Sequence, residues 1–277
     1  MILRVLKSLL ARLLFVTRLY RLILRNTGFA VVFHSVVRDE PASALRCPAG
    51  DFERICGFLR RYFRTVTLAQ IGAAVRARTG PGGCASITFD DGYADNAQVA
   101  APILRSMGLP ATFFVVTGFI GSERQAPWDE KRGFRSRWMN WDEVRGLAEQ
   151  GFEIGAHSTS HQDMGGISCE AFEADLIAAR GTMLQHLNRA PVGFAYPFGS
   201  PRHVNSHAPQ VLQRQGFEYC VLADGGLIGG HSDPMALPRI PINALEYADA
   251  YVLGFEILYA TLLGRWHRHE PVAGAGP

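Results

Sequence analysis

A chain of 277 residues, 48% apolar and 19% charged, is long enough for one large α/β domain with a sizeable core and too apolar for a disordered protein. Its formal charge of +3 sits at the start: residues 1–30 hold Arg4, Lys7, Arg12, Arg18, Arg21 and Arg25 and no acid, so the rest is slightly acidic and lacks the basic stripe a nucleic-acid partner requires. The five cysteines (Cys47, Cys56, Cys84, Cys169 and Cys220) are odd in number and lack C-x-x-C spacing, which argues against a disulfide framework or a zinc knuckle and for reduced, mostly buried thiols.

Residues 1–28 read as a basic amphipathic helix. At about 100° per residue, Arg4, Lys7, Arg18, Arg21 and Arg25 share one arc, with Arg12 the outlier. Ile2, Val5, Leu6, Leu9, Leu13, Val16, Tyr20 and Ile23 take the opposite arc. No apolar run reaches the ~18 residues of a membrane span. Arg12 and Arg18 interrupt the core of a secretory signal, and no small-residue cleavage site follows. The pattern suits a helix lying in an anionic membrane interface; a helix packed on the domain with its arginines in water is the alternative. Free thiols and the missing cleavage site favour a cytoplasmic protein of a bacterial-type cell, or one peripheral on the cytoplasmic face of its membrane. An uncleaved anchor facing outward is the other option.

Residues 29–265 alternate between strand and helix patterns. Ala30–Phe33, Ser86–Phe89, Ala111–Val116, Glu153–Gly155, Gly193–Tyr196 and Tyr219–Leu222 read as strands. Phe52–Phe63, Ala94–Met107, a segment from Asn140 to about Gln150, Cys169–Leu187 and a helix ending at Val211–Gln215 lie between them. Asn140 with Glu143 forms a capping-box pattern. Met107-Gly108-Leu109, Gln150-Gly151-Phe152 and Gln215-Gly216-Phe217 repeat one junction, a glycine ending a helix before an apolar strand entry. The repeat of helix, glycine and strand predicts parallel βα architecture. Gly121–Trp138 is a long polar insertion, and residues 266–277 read as a tail.

Two segments carry chemistry. Thr88-Phe89-Asp90-Asp91-Gly92 places adjacent carboxylates at a strand end, where α/β folds build active sites. A metal could bind one and leave the other as a base; an Asp-Gly turn with solvated acids is the bland alternative. His157-Ser-Thr-Ser-His161 also follows a strand, and its two imidazoles could reach one ion or simply be exposed loop residues. Together, Asp91, His157 and His161 make three protein ligands with positions left open, the composition of a catalytic site.

These two motifs resemble the first two of the polysaccharide deacetylases, carbohydrate esterase family 4 or the NodB homology domain, and the resemblance runs from about Phe29 to Ile242. Tyr196-Pro197-Phe198-Gly199 is similar to the end of the family's third motif, but Ala195 stands where the family has an arginine, and the late Leu-x-His motif is not found in its usual form. A branch acting on poly-N-acetylglucosamine looks more similar. It has an early histidine like that in Val32-Phe33-His34-Ser35 and a late segment like Leu237-Pro238-Arg239-Ile240.

The resemblance implies a distorted (β/α)7 barrel and one divalent ion on Asp91, His157 and His161, zinc first, with cobalt, nickel or ferrous iron as alternatives. It implies Asp90 as base, Arg239 as its partner, and His34 as the acid for the leaving amine. His231, in a glycine-rich loop expected near the same strand ends, competes for the acid role. The oxyanion would meet the Phe198 backbone, with Pro197 and Tyr196 in the same substrate-side segment. The substrate would be an N-acetylated amino-sugar polymer or glycolipid. Alternatives are a deformylase or deacylase of a lipid-linked sugar and a catalytically inactive sugar-binding module. Trp128, Trp138 and Trp141 could stack on sugar faces, but core packing is the simpler account of them.

Overall fold

In the computed structural model, which describes residues 2–247 and 249–263, the strand segments assemble into one curled parallel sheet. The chain begins with α1 (Ile2–Val16), α2 (Tyr20–Ile23), β1 (Phe29–Phe33), β2 (Ser35–Val37) and β3 (Arg46–Pro48). It continues through α3 (Ala49–Tyr62), β4 (Arg64–Thr65), α4 (Leu68–Arg76) and β5 (Cys84–Phe89). A π-helical turn (Asn96–Ala100) enters α5 (Ala101–Met107), and β6 (Thr112–Val115), α6 (Pro127–Glu130), α7 (Trp141–Glu149) and β7 (Glu153–Ala156) follow. The last elements are α8 (Cys169–Leu187), β8 (Gly193–Ala195), α9 (Ala208–Arg214), β9 (Tyr219–Val221), β10 (Ile240–Pro241), α10 (Ala244–Tyr247) and α11 (Ala250–Leu263).

The main sheet runs β10-β1-β5-β6-β7-β8-β9, every pair parallel, with β4 also on β5 and a small separate β2-β3 pair. The approach to β10 closes the curl: Leu237 N–H donates to the Cys220 carbonyl and Leu222 N–H to the Leu237 carbonyl, both at 2.9 Å. This is the distorted seven-stranded barrel that the resemblance implies. Strands covered on both faces explain the near-continuous apolar runs in the sequence. Phe113 and Val115 pack outward against the helices, while Phe114 between them packs inward with Ala30, Ile71 and Leu237.

The three repeated glycines all take left-handed backbone, with φ of 65° at Gly108, 87° at Gly151 and 83° at Gly216. Both bonds of the Asn140–Glu143 capping box form. All five cysteines are unpaired, and all but Cys169 are buried. The tail expected over 266–277 lies outside the described residues. The sequence reading did not anticipate α4, although Thr67 and Gln70 form a second capping box.

α4 plugs the end of the barrel where the strands begin. The Glu153 carboxylate accepts from Thr112 Oγ1 at 2.8 Å, Tyr219 Oη at 2.6 Å and the Ala69 N–H at 3.2 Å. That buried acid is therefore satisfied by three donors, one of them at a helix N-terminus. Tyr219 fits only because Gly193 has no side chain: a Cβ there would lie 2.2 Å from the Tyr219 Oη.

α1 is packed on the domain through Ala11 and Phe15, followed by buried Tyr20 and Leu24. The Phe15 ring lies 4.6 Å from Tyr20 and 4.9 Å from both Phe58 and Tyr62. No described helix is long and apolar enough to cross a membrane.

Gly193→Ala should destabilise the domain by about 1–3 kcal/mol through overpacking against Tyr219. Urea denaturation checks this; an unchanged midpoint would mean that the plug yields freely.

Candidate active site

The strand ends carry the chemistry. Asp90 continues the inward series of β5, and its N–H donates to the Phe33 carbonyl at 3.0 Å, which extends the β1–β5 ladder by one residue. Asp91 then turns with φ of 72° and Gly92 with 88°, which brings the second carboxylate under the rim. Two strands on, His157 N–H donates to the Val115 carbonyl at 3.0 Å, and the loop folds back so that Ser158 Oγ accepts from the His161 N–H at 2.8 Å.

Asp91, His157 and His161 converge. Nε2 of each imidazole lies 3.4 Å from the same oxygen, Asp91 Oδ1, and one ligand atom from each residue lies within 4.8 Å of the others. That oxygen is buried and receives no hydrogen bond, and neither does His161 Nδ1. His157 Nδ1 sits 2.8 Å from the Ala195 carbonyl, a contact that requires its N–H there and leaves the Nε2 lone pair facing Asp91. A buried acceptor with no donor, faced by two imidazole nitrogens, has the donor set of a divalent-cation site.

The local backbone is strained. Asp91, Ser158, His161 and Phe198 all have positive φ, four of the seven such non-glycine residues in the described chain. Each costs on the order of 1–3 kcal/mol, and such clusters mark functional sites.

Charge is distributed unevenly between the adjacent acids. Burial works to raise the Asp90 pKa, but Arg239 and then His157 more than offset it and hold the carboxyl below its ordinary value. Arg239 is fully buried and bidentate, Nη1 to Oδ1 and Nη2 to Oδ2, both at 2.7 Å; its Nε donates to the Leu222 carbonyl at 2.9 Å. Burial opposes ionisation of Asp91 too, yet the two histidines hold its carboxyl far below the usual range. Burial pushes His161 down to about 4, so at neutral pH it is a neutral imidazole. His157 is raised despite burial, by Asp90 and Asp91.

The other expected residues separate. Phe198 is 44% exposed, and its ring lies 4.8 Å from that of His161. Its N–H finds no backbone acceptor among the described residues. Tyr196 and Pro197 are buried, and the Tyr196 hydroxyl donates to the Met235 carbonyl, so they support Phe198 from beneath. His34 follows β1 at the same rim and lies close enough to lower the pKa of both aspartates. His231 stands 3.4 Å from Arg78, beside the loop leading into β5, at the opposite end of the barrel.

Comparisons with known proteins agree with this geometry. The family described as "Polysaccharide deacetylase" matches residues 77–220, more than half of the chain. The chain belongs to the polysaccharide deacetylase family. The Bacillus subtilis (strain 168) protein named "Putative polysaccharide deacetylase YxkH" is 22% identical over 215 residues, 77% of this chain and 70% of that protein. Among solved structures, the Streptococcus pyogenes deacetylase PplD in complex with acetate superposes with a TM-score of 0.69 at 18% identity, over 83% of this chain and 98% of that one. IcaB from Ammonifex degensii gives 0.67 at 20% identity, over 83% and 97%. At these identities the superpositions establish the shared fold.

Some residues around this deacetylase-family site escaped the sequence reading. Asp129 in the 121–138 insertion is buried and accepts from Tyr93 Oη at 3.0 Å and Ser136 Oγ at 2.7 Å. Trp128 Nε1 donates to Tyr93 Oη at 2.8 Å, and its ring stands 4.6 Å from that of His161. Trp138 packs in the core on Phe119, and Trp141 stacks on His186 between the outer helices, so of the three tryptophans only Trp128 borders the site. Asp95 accepts from Ser35 Oγ and the Val36 N–H, and Asn96 donates to the His34 carbonyl; together they hold the loop that carries His34. Asp95 and Asn96 lie five and six residues past Asp90, a helix-entry position that was a readable signal.

Arg239→Met should leave Asp90 buried without its partner and cost about 3–5 kcal/mol at neutral pH. The native pair adds stability above the ordinary Asp pKa and loses it as pH falls through the lower folded value. The gap between variant and wild type should therefore narrow on acidification, which urea denaturation across pH would show. A pH-independent gap would assign the loss to packing alone.

Proposed function

We propose that this protein is a metal-dependent hydrolase that removes N-acetyl groups from an amino-sugar polymer or glycolipid. One observation carries the reading: two imidazole Nε2 atoms face a single carboxylate oxygen that has no donor, beside a second carboxylate held by arginine. Family membership supports it, as do relatives whose names record deacetylase activity.

A carboxylate and two imidazoles suit zinc first, with cobalt, nickel or ferrous iron as alternatives, and three protein ligands leave positions open. Asp91, His157 and His161 would hold a divalent ion, which would supply Lewis acidity and lower the pKa of water.

The chain's own groups do the rest. Asp90, kept ionised by Arg239, takes the proton of the attacking water. The Phe198 N–H meets the oxygen on which negative charge develops. His34 gives a proton to the departing amine nitrogen. Trp128 and Phe198 flank His161 and wall the site on its apolar side. The products are acetate and a free amino sugar.

The test is acetate release from a panel of N-acetylated sugars, with and without chelator. Asp91→Ala or His157→Ala should lose both bound metal and acetate release, since no ligand is spare. An unaltered metal stoichiometry in either variant would refute the site. Asp90→Asn should keep the metal and lose about 10²–10⁴-fold in turnover. His34→Ala should slow turnover while His231→Ala leaves it unchanged; the reverse order would move the acid role away from His34.

A further inference from the structure

The N-terminal segment carries an arrangement that the reaction does not use. A helix packed on a water-soluble domain turns its apolar face inward and its cations outward. α1 instead leaves most of its large apolar side chains outward. Its inward face carries Ser8, Ala11 and Phe15. Lys7 on that side pairs with Glu256 at 2.5 Å, Ser8 Oγ donates to Asp249 at 2.6 Å, and Arg4 donates to the Leu245 carbonyl at 3.2 Å. The outward face is a ridge of Leu6, Leu9, Leu13 and Val16, each 57–68% exposed, and Leu19 and Leu22 extend it at 47% and 69%. No described residue covers it. An unbroken apolar ridge of this length on a monomer marks a contact surface.

Beside the ridge lies a cavity of about 400 Å³ lined by Arg21, Arg25, Arg61 and Arg64, with Tyr20 and Tyr62. No acid lines it, and among the described residues none of the four guanidinium groups pairs with a carboxylate. Arg21 Nε meets only the Tyr20 hydroxyl, at 3.3 Å, and Arg64 meets Cys84 Sγ, at 2.9 Å. Four uncompensated forks around one cavity favour a phosphate-like anion. Arg21 and Arg25 alternate along the chain with exposed Leu19 and Leu22, so the anion site and the ridge are contiguous. The cavity shares no residue with the Asp91–His157–His161 cluster.

We propose that residues 2–25 dock this protein on an anionic lipid bilayer, with the leucine ridge at the boundary of headgroups and acyl chains and a lipid phosphate in the four-arginine cavity. Charge complementarity selects the lipid. A second copy of the chain packed on the same ridge would bring two unpaired arginine clusters together, which like-charge repulsion opposes. No described helix is long and apolar enough to cross a membrane, so the helix lies in the plane of the surface. The arrangement is independent of the reaction assigned to the barrel.

The test is flotation of the full chain with phosphatidylcholine vesicles, with and without phosphatidylglycerol, at low and high salt. The full chain is needed because Phe15, Tyr20 and Leu24 belong to the core. Wild type should float with the anionic vesicles at low salt and be partly released at high salt. Leu6→Ser/Leu9→Ser/Leu13→Ser changes only exposed positions and should abolish flotation. Arg21→Gln/Arg25→Gln/Arg61→Gln should weaken partitioning onto anionic vesicles by about tenfold or more. Circular dichroism and thermal melting of both variants should match wild type. Wild type that stays at the bottom with anionic vesicles at low salt would overturn the proposal, as would wild-type flotation of the arginine variant. A wild-type dimer that ignores vesicles and that the leucine variant dissolves would assign the ridge to a second copy and likewise overturn it.

Discussion

Two adjacent carboxylates buried at the end of one strand repel each other unless their surroundings separate them. The barrel meets that constraint from two directions. Arg239 arrives from the segment that closes the sheet and grips both oxygens of Asp90, while the loop after β7 brings two imidazoles to Asp91. The strand order makes this geometry available: β10 and β1 lie on one side of β5, and β6 and β7 on the other. The neighbouring acids therefore differ in kind. One is locked in a bidentate pair, and the other holds an oxygen open between two nitrogens.

Strain and packing follow the same division. Asp91, Ser158, His161 and Phe198 keep left-handed backbone at the rim where the strands end. At the other end, the Glu153–Thr112–Tyr219 contacts and the N-terminus of α4 fill the barrel with satisfied hydrogen bonds. Parallel barrels divide chemistry from stability in this way. His231, a candidate acid by sequence, lies at the end given over to stability.

Local features of the fold were legible because they depend on near neighbours. The helix-ending glycines at 108, 151 and 216 and the Asn140–Glu143 box are encoded within four residues, and each forms as read. Contacts between distant segments were not legible in the same way. Asp90 and Arg239 are 149 residues apart, and only the resemblance to a family linked them. The buried Asp129 looked like one more polar residue of a loop, because nothing nearby in sequence reveals that Tyr93 would reach it. Helical phase put Leu6, Leu9, Leu13 and Val16 on one face, but it ran a single helix through the break at Arg18 and grouped Tyr20 with those leucines, whereas Tyr20 is buried on Phe15; nor could it say which face meets the domain. Phe15 and the acids Asp249 and Glu256 decide that, and both acids lie at the far end of the chain.

The claim on which the rest depends is that Asp91, His157 and His161 together hold one divalent ion. X-ray absorption at the zinc edge, on protein loaded with one equivalent of zinc, tests it most directly. The account predicts a first shell of nitrogen and oxygen only, at about 2.0–2.1 Å, with outer-shell scattering from two imidazoles. A sulfur shell at about 2.3 Å, or a first shell without imidazole, would contradict it.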